Sequence, residues 1–169
     1  ILNNIQTIIL LALNEIKNYG PKTIIELYSN FRYLNDNLFD FPDFIEFLKS
    51  KNLNEEFIEI FNQKVVYIQN ELSKDKVKSI KIISFFDDEY PIQLTLLKNP
   101  PLFLFCRGNT ILLKNMNNIA IVGTRGNSEL GAKIAAKTAY SFVDYKYTIV
   151  SGLARGIDTA AHIGTLRNN

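Results

Sequence analysis

Two short stretches of this chain bring glycine, hydroxyl and guanidinium groups together. They are Gly123-Thr124-Arg125-Gly126-Asn127-Ser128 and Ser151-Gly152-Leu153-Ala154-Arg155-Gly156-Ile157-Asp158. Each follows an apolar run, Ile119-Ala120-Ile121-Val122 and Tyr147-Thr148-Ile149-Val150, and each precedes a helical pattern. Glycine lets main chain approach a ligand closely. Free amides at a helix start favour an anion, with the helix dipole behind them. Thr124 and Ser128 add hydroxyl donors, and Arg125 and Arg155 can form charge-assisted bonds to phosphate or stack on a base. The candidate phosphate-binding set is therefore Gly123, Thr124, Arg125, Ser128, Ser151, Gly152, Leu153, Ala154 and Arg155. The plain alternative is a pair of ordinary strand-to-helix turns, with Ser128 as an N-cap.

Other chemistries fit less well. Ser151, Asp158 and His162 suggest a catalytic triad, but Ser151 lacks a nucleophile-elbow motif, and Asp158 and His162 are spaced to pair with each other on one helix. The first turn is not G-x-G-x-x-G, and no acidic residue closes the second strand to hold a ribose, which argues against NAD. The one cysteine, Cys106, excludes a disulfide framework and a cysteine zinc site, and in Leu102-Phe103-Leu104-Phe105-Cys106 it reads as a buried reduced thiol. No catalytic residue, metal or cofactor is expected.

The elements around these turns change character near residue 79. Upstream, Ile5, Ile8, Ile9, Ala12, Leu13 and Ile16 recur at helical spacing and predict an amphipathic helix. It should end at Tyr19-Gly20-Pro21, with Gly20 past the helix end and Pro21 opening the next. The segment Tyr19-Gly20-Pro21-Lys22 suits either a phosphate-holding hairpin turn or a plain helical hairpin. Pro42-Asp43 opens a third helix with Phe44, Phe47 and Leu48, and Asn54 caps a fourth carrying Phe57, Ile60, Phe61, Val65 and Ile68 to about Leu72. After the charged link Lys74–Lys78 come strand candidates at 80–84 and 102–106, with a brief helix from Tyr90-Pro91 between them. Strand 119–122, helix 128–145, strand 147–150 and helix 156–166 then follow, the α/β pattern of a parallel sheet. The expected organisation is a helical domain over 1–78 and an α/β domain over 79–169.

Composition permits this. The chain has 169 residues, 47% of them hydrophobic, with only five Pro and eight Gly, so a packed core is within reach and disorder is not indicated. No run approaches the ~18 apolar residues of a membrane span. The apolar start, Ile1–Leu13, is interrupted by Asn3, Asn4 and Gln6, which argues against a signal peptide. A cytoplasmic protein is expected. The net charge of +2 divides unevenly: 9 Lys+Arg against 11 Asp+Glu in 1–78, and 10 against 6 in 79–169. The basic excess thus lies with the glycine turns.

Residues 80–166 also carry an ordered set of motifs: Tyr90-Pro91, Pro100-Pro101-Leu102-Phe103-Leu104, Gly108, Ile119 to Arg125, Gly131, Ile149 to Asp158, and Ala161-His162. In this order they resemble the DprA family of DNA-processing proteins. The resemblance implies an α/β fold in which an N-terminal module of the sterile-alpha-motif or helix-hairpin-helix kind precedes a Rossmann-like domain, of which residues 79–169 would be the first half. It implies a non-catalytic protein that binds single-stranded DNA, forms a homodimer when intact and helps load the RecA recombinase during natural transformation. In the family the Gly-Ser/Thr-Arg turn, here Gly123-Thr124-Arg125, belongs to the DNA-binding surface, with Ser151 to Ala154 nearby. Family members continue well past Ala-His, so a sheet formed by these strands alone should expose apolar surface and either pair with another chain or lose affinity. A Rossmann-like protein or enzyme acting on a small nucleotide remains the alternative, and a purely partner-binding helical module a third reading.

Overall fold

The computed structural model describes residues 5–34, 40–74, 77 and 79–167. They fall into two compact units, Ile1–Leu113 and Lys114–Asn169.

The first unit is built on α1 (Ile5–Asn14), α2 (Pro21–Leu34), α3 (Phe41–Ser50) and α4 (Glu55–Ser73). Sequence spacing suggested an amphipathic α1, yet Gln6 to Leu13 are all buried. A helix apolar on every side belongs in the interior, and α1 lies against α2, α4 and a strand. Rings fill the remaining space: Phe44 sits 4.9 Å from Phe31, 5.5 Å from Phe61 and 6.0 Å from Tyr28 between centroids. Helix starts follow sequence chemistry. Asp40 and Asp43 form a reciprocal capping box at α3, and Asn54 accepts the Phe57 amide at 2.9 Å to open α4. Helix ends depart from expectation: Gly20 is not left-handed, and Asn18 takes that conformation in the α1–α2 connection (φ 72°), as Asn52 does after α3 (φ 57°). Asparagine tolerates this region because its short polar side chain bonds locally. The connection is a plain helical hairpin, with the Tyr19 amide bonded to Ile16 O and its ring on Phe57.

Strands β1 (Lys81–Ser84) and β2 (Phe103–Cys106) pair antiparallel, joined through the single-turn helix α5 (Ile92–Thr95). This hairpin packs with the helices. Buried Gln6 donates to Asp87 Oδ1 at 2.8 Å and Ser84 Oγ at 3.2 Å, Phe86 packs on Tyr28 at 4.9 Å, and Leu102 joins the helical core. Grouping by packing thus places residues 79–113 with the helices, whereas the change of sequence pattern grouped them with the following segment. Cys106 is half-buried on β2, and burial pushes its thiol pKa up. No described helix is long and apolar enough to cross a membrane.

The second unit carries the Rossmann-like pattern. Strand β3 (Asn118–Ala120) pairs parallel with β4 (Thr148–Val150), Ile119 opposite Ile149, and α6 (Glu129–Asp144) connects them. Helix α7 (Ile157–Leu166) follows β4 and packs on α6. The core is small: Ala139, Ile149 and Ala161 are buried, with Ile119, Ile121, Phe142 and Val143 around them. Val122 and Val150 are exposed at the strand ends. The helices touch at backbone distance, since a Cβ on Gly164 would stand 2.1 Å from Ala136 O.

Candidate nucleic-acid interface

Both glycine turns leave the carboxyl ends of β3 and β4, and they are locked together. Ile121 N bonds Val150 O at 3.1 Å, continuing the strand pairing into the turns. Ser151 Oγ then donates to Ile121 O at 2.7 Å, and Ile157 N to Thr124 O at 3.2 Å. Gly156, with φ +90°, lies so close to the first turn that a Cβ would meet Thr124 O at 2.2 Å and Arg125 Cα at 2.9 Å. A Cβ on Gly123 would run into the Ile157 side chain at 2.7–2.9 Å. These two glycines therefore serve the contact between turns.

Asp158 is the centre of the arrangement. It is 5% exposed. Its Oδ1 accepts the Gly123 amide at 3.2 Å, its Oδ2 the Gly152 amide at 3.1 Å, and the Ala154 amide also bonds it. Desolvation alone would raise its pKa, but these hydrogen bonds outweigh it and hold the carboxyl below its ordinary value. Standing in the first turn of α7, the carboxylate also suits the positive end of that helix. Its partners are the turn amides rather than His162, which the i, i+4 spacing had suggested. The sequence offered Gly123, Gly152 and Ala154 amides to a ligand, and in the structure all three donate to Asp158.

What faces outward is mostly side chain. Arg125, Gly126, Ala154 and Arg155 line a hollow of about 500 Å³. Among the described residues neither guanidinium is in an ion pair. Thr124 Oγ1 accepts from the Gly126 amide at 3.2 Å and Ser128 Oγ caps α6 by accepting from Gly131 N at 3.1 Å, so each hydroxyl keeps its proton for a further acceptor. Ser151 has already committed its proton to Ile121 O. Leu153 is 77% exposed with φ +54°, an uncommon conformation for a non-glycine residue. The turns can therefore present two guanidinium groups and two hydroxyl protons to an anion, from one fixed rim. No group of three or more His, Cys, Asp or Glu among the described residues is arranged to hold a metal. A separate hollow of about 320 Å³ along α6, with Ile134, Phe142 and Tyr145 in its wall, contains no group from either turn.

The sequence pattern of the family described as "DNA recombination-mediator protein A" matches residues 81–169. "DNA processing protein DprA" of Streptococcus pneumoniae is 37% identical over 109 residues, covering 64% of this chain and 38% of that protein. Its namesake in Bacillus subtilis is 31% identical over 96 residues, 57% of this chain and 32% of that protein. The X-ray structure of DNA processing protein A from S. pneumoniae superposes with a TM-score of 0.67 at 26% identity, covering 99% of this chain and 56% of that one. The chain thus spans less than half of the length of either of these two curated relatives.

Proposed function

Because this chain belongs to the DNA recombination-mediator protein A family, we propose that its Arg125–Arg155 rim binds the backbone of single-stranded DNA. The observation that carries this reading is the hollow lined by both arginines, whose turns one carboxylate holds in register. Two unpaired guanidinium groups on a pre-formed rim suit phosphate, since little ordering remains to be done on binding. The role is binding, not catalysis: the Ser151 hydroxyl and the Asp158 carboxylate are both engaged in holding the turns. That use of Asp158 also argues against a mononucleotide site, which would need an acid free to take a ribose hydroxyl. We assign the rim to a cytoplasmic protein that, as an intact homodimer, delivers single strands to RecA during transformation.

The test is an electrophoretic shift with poly-dT across a salt series. Binding should weaken with salt, and Arg125→Ala should lower the slope of log K against log salt by about 0.7, one phosphate contact on a single strand. No shift at low salt, or an Arg125→Ala protein indistinguishable from the parent, overturns the assignment.

A further inference from the structure

A second group of cations stands on the helices behind the rim. Gly164 and Ala136, each the eighth residue of its helix, bring α7 and α6 into backbone contact. Small residues at this crossing leave the longer side chains standing around a hollow of about 270 Å³. Its walls are Lys133, Ala136, Lys137, Tyr140, Gly164 and Arg167. Three of the six are cationic and none is acidic. Glu129 lies one turn before Lys133 and Asp144 one turn beyond Tyr140, and neither lines the hollow. Among the described residues none of the three cations is in an ion pair. Across residues 114–169 there are seven Lys and Arg against three Asp and Glu, and one of those three, Asp158, is buried between the turns. Like charges converging on one hollow repel each other, and a bound anion relieves that repulsion.

We propose that this hollow is a second contact for the same single strand, beyond the rim. The inference rests on the reading of the rim given above. Ser128, at the rim, caps the helix that carries Lys133 and Lys137. Four residues of helix advance about 6 Å, so Lys133 and Lys137 form a ladder leading away from the turns, with Arg167 facing them across the hollow. Tyr140 is 43% exposed among these cations. Cations interleaved with an exposed aromatic ring suit a single strand, whose bases are free to stack, better than an acidic polypeptide.

The experiment compares two dT oligomers on the full-length protein, one of about 5 nucleotides, near the lower end of known single-strand site sizes, and one several times longer. The variant is Lys133→Gln, Lys137→Gln, Arg167→Gln, which keeps chain length while removing charge. Three lost phosphate contacts should lower the salt slope on the long oligomer by about 2, a loss of roughly 100-fold at 0.1 M salt referred to 1 M. Affinity for the short oligomer and the circular dichroism spectrum should stay unchanged. Unchanged affinity for the long oligomer, alongside a loss in Arg125→Ala, overturns the second contact and leaves the rim standing. Equal loss on both lengths overturns it too, as does a triple variant that loses polyglutamate binding while keeping DNA. If the parent protein binds neither oligomer, the reading of the rim fails first and the second contact with it.

Discussion

Replacing Gly156 with alanine tests the claim that the two turns form one body. Its φ of +90° and ψ of −128° lie in territory reserved for glycine, and imposing it on alanine costs about 1–3 kcal/mol. The new Cβ would also meet main-chain Thr124 O at 2.2 Å and Arg125 Cα at 2.9 Å, atoms that cannot swing aside as a side-chain tip can. Overpacking of this kind costs about 1–3 kcal/mol. Together these give roughly 2–6 kcal/mol, a large share of the ~5–15 kcal/mol that holds a typical domain folded. Gly126 is the internal control: a Cβ added there would meet nothing within 4 Å, and its φ is not left-handed. Gly126→Ala should therefore be neutral, or stabilising by up to about 1 kcal/mol through the unfolded chain. Amide hydrogen exchange resolved over residues 129–166 measures the opening of α6 and α7 directly. Gly156→Ala should speed exchange there at least ~30-fold, the equivalent of 2 kcal/mol. Parent-like exchange in Gly156→Ala, or equal acceleration in Gly126→Ala, would refute the reasoning.

Three further outcomes follow. Asp158 is held below its ordinary pKa of 3.8, so its contribution to stability is complete above that pH and is lost as pH falls through the lower folded value. Urea midpoints measured from pH 7 downward should show this acid limb, and Asp158→Asn should lower the neutral midpoint and flatten the limb; an unaltered pH profile contradicts the role given to the carboxylate. Phe44→Ala empties a fully buried position among four rings and should cost about 3–5 kcal/mol, lowering the melting temperature by at least ~10 °C in calorimetry. Leu153→Asn replaces a leucine held at φ +54° with a residue that accepts that region, and should raise stability by about 0.5–1 kcal/mol in urea titrations, since little burial is lost.

The parts of the structure set by short-range spacing were legible in the sequence. Apolar residues at helical intervals give α1 to α4, and strand–glycine–helix repeats give the parallel pair β3–β4. The helical module followed by a Rossmann-like part is the fold the chain has. Packing between distant residues was not legible. Gln6 reads as a polar interruption of α1, yet it is buried because Ser84 and Asp87 accept its amide from 78 and 81 residues away. Local spacing paired Asp158 with His162, four positions on, whereas one of its amide partners, Gly123, is 35 residues distant. Gly20 was a reasonable helix stop by composition, but Asn18 does that work because the chain turns two residues earlier.

Six of the eight glycines fall between positions 123 and 164, and three of them, Gly123, Gly156 and Gly164, stand where a Cβ would collide. The helical unit packs instead by rings and branched chains, Tyr28, Phe31, Phe44, Phe61 and Ile24 among them. The two units therefore answer temperature differently. The first buries the larger apolar core, and exposing hydrocarbon raises heat capacity by about 0.45 cal/K/mol per Å², while exposing polar main chain lowers it by about 0.26 per Å². Cooling thus weakens the driving force for the helical core more than for the turns. The rim, held by amides on a carboxylate and by main chain pressed on main chain, should keep its shape over a wider span of temperature than the module that precedes it.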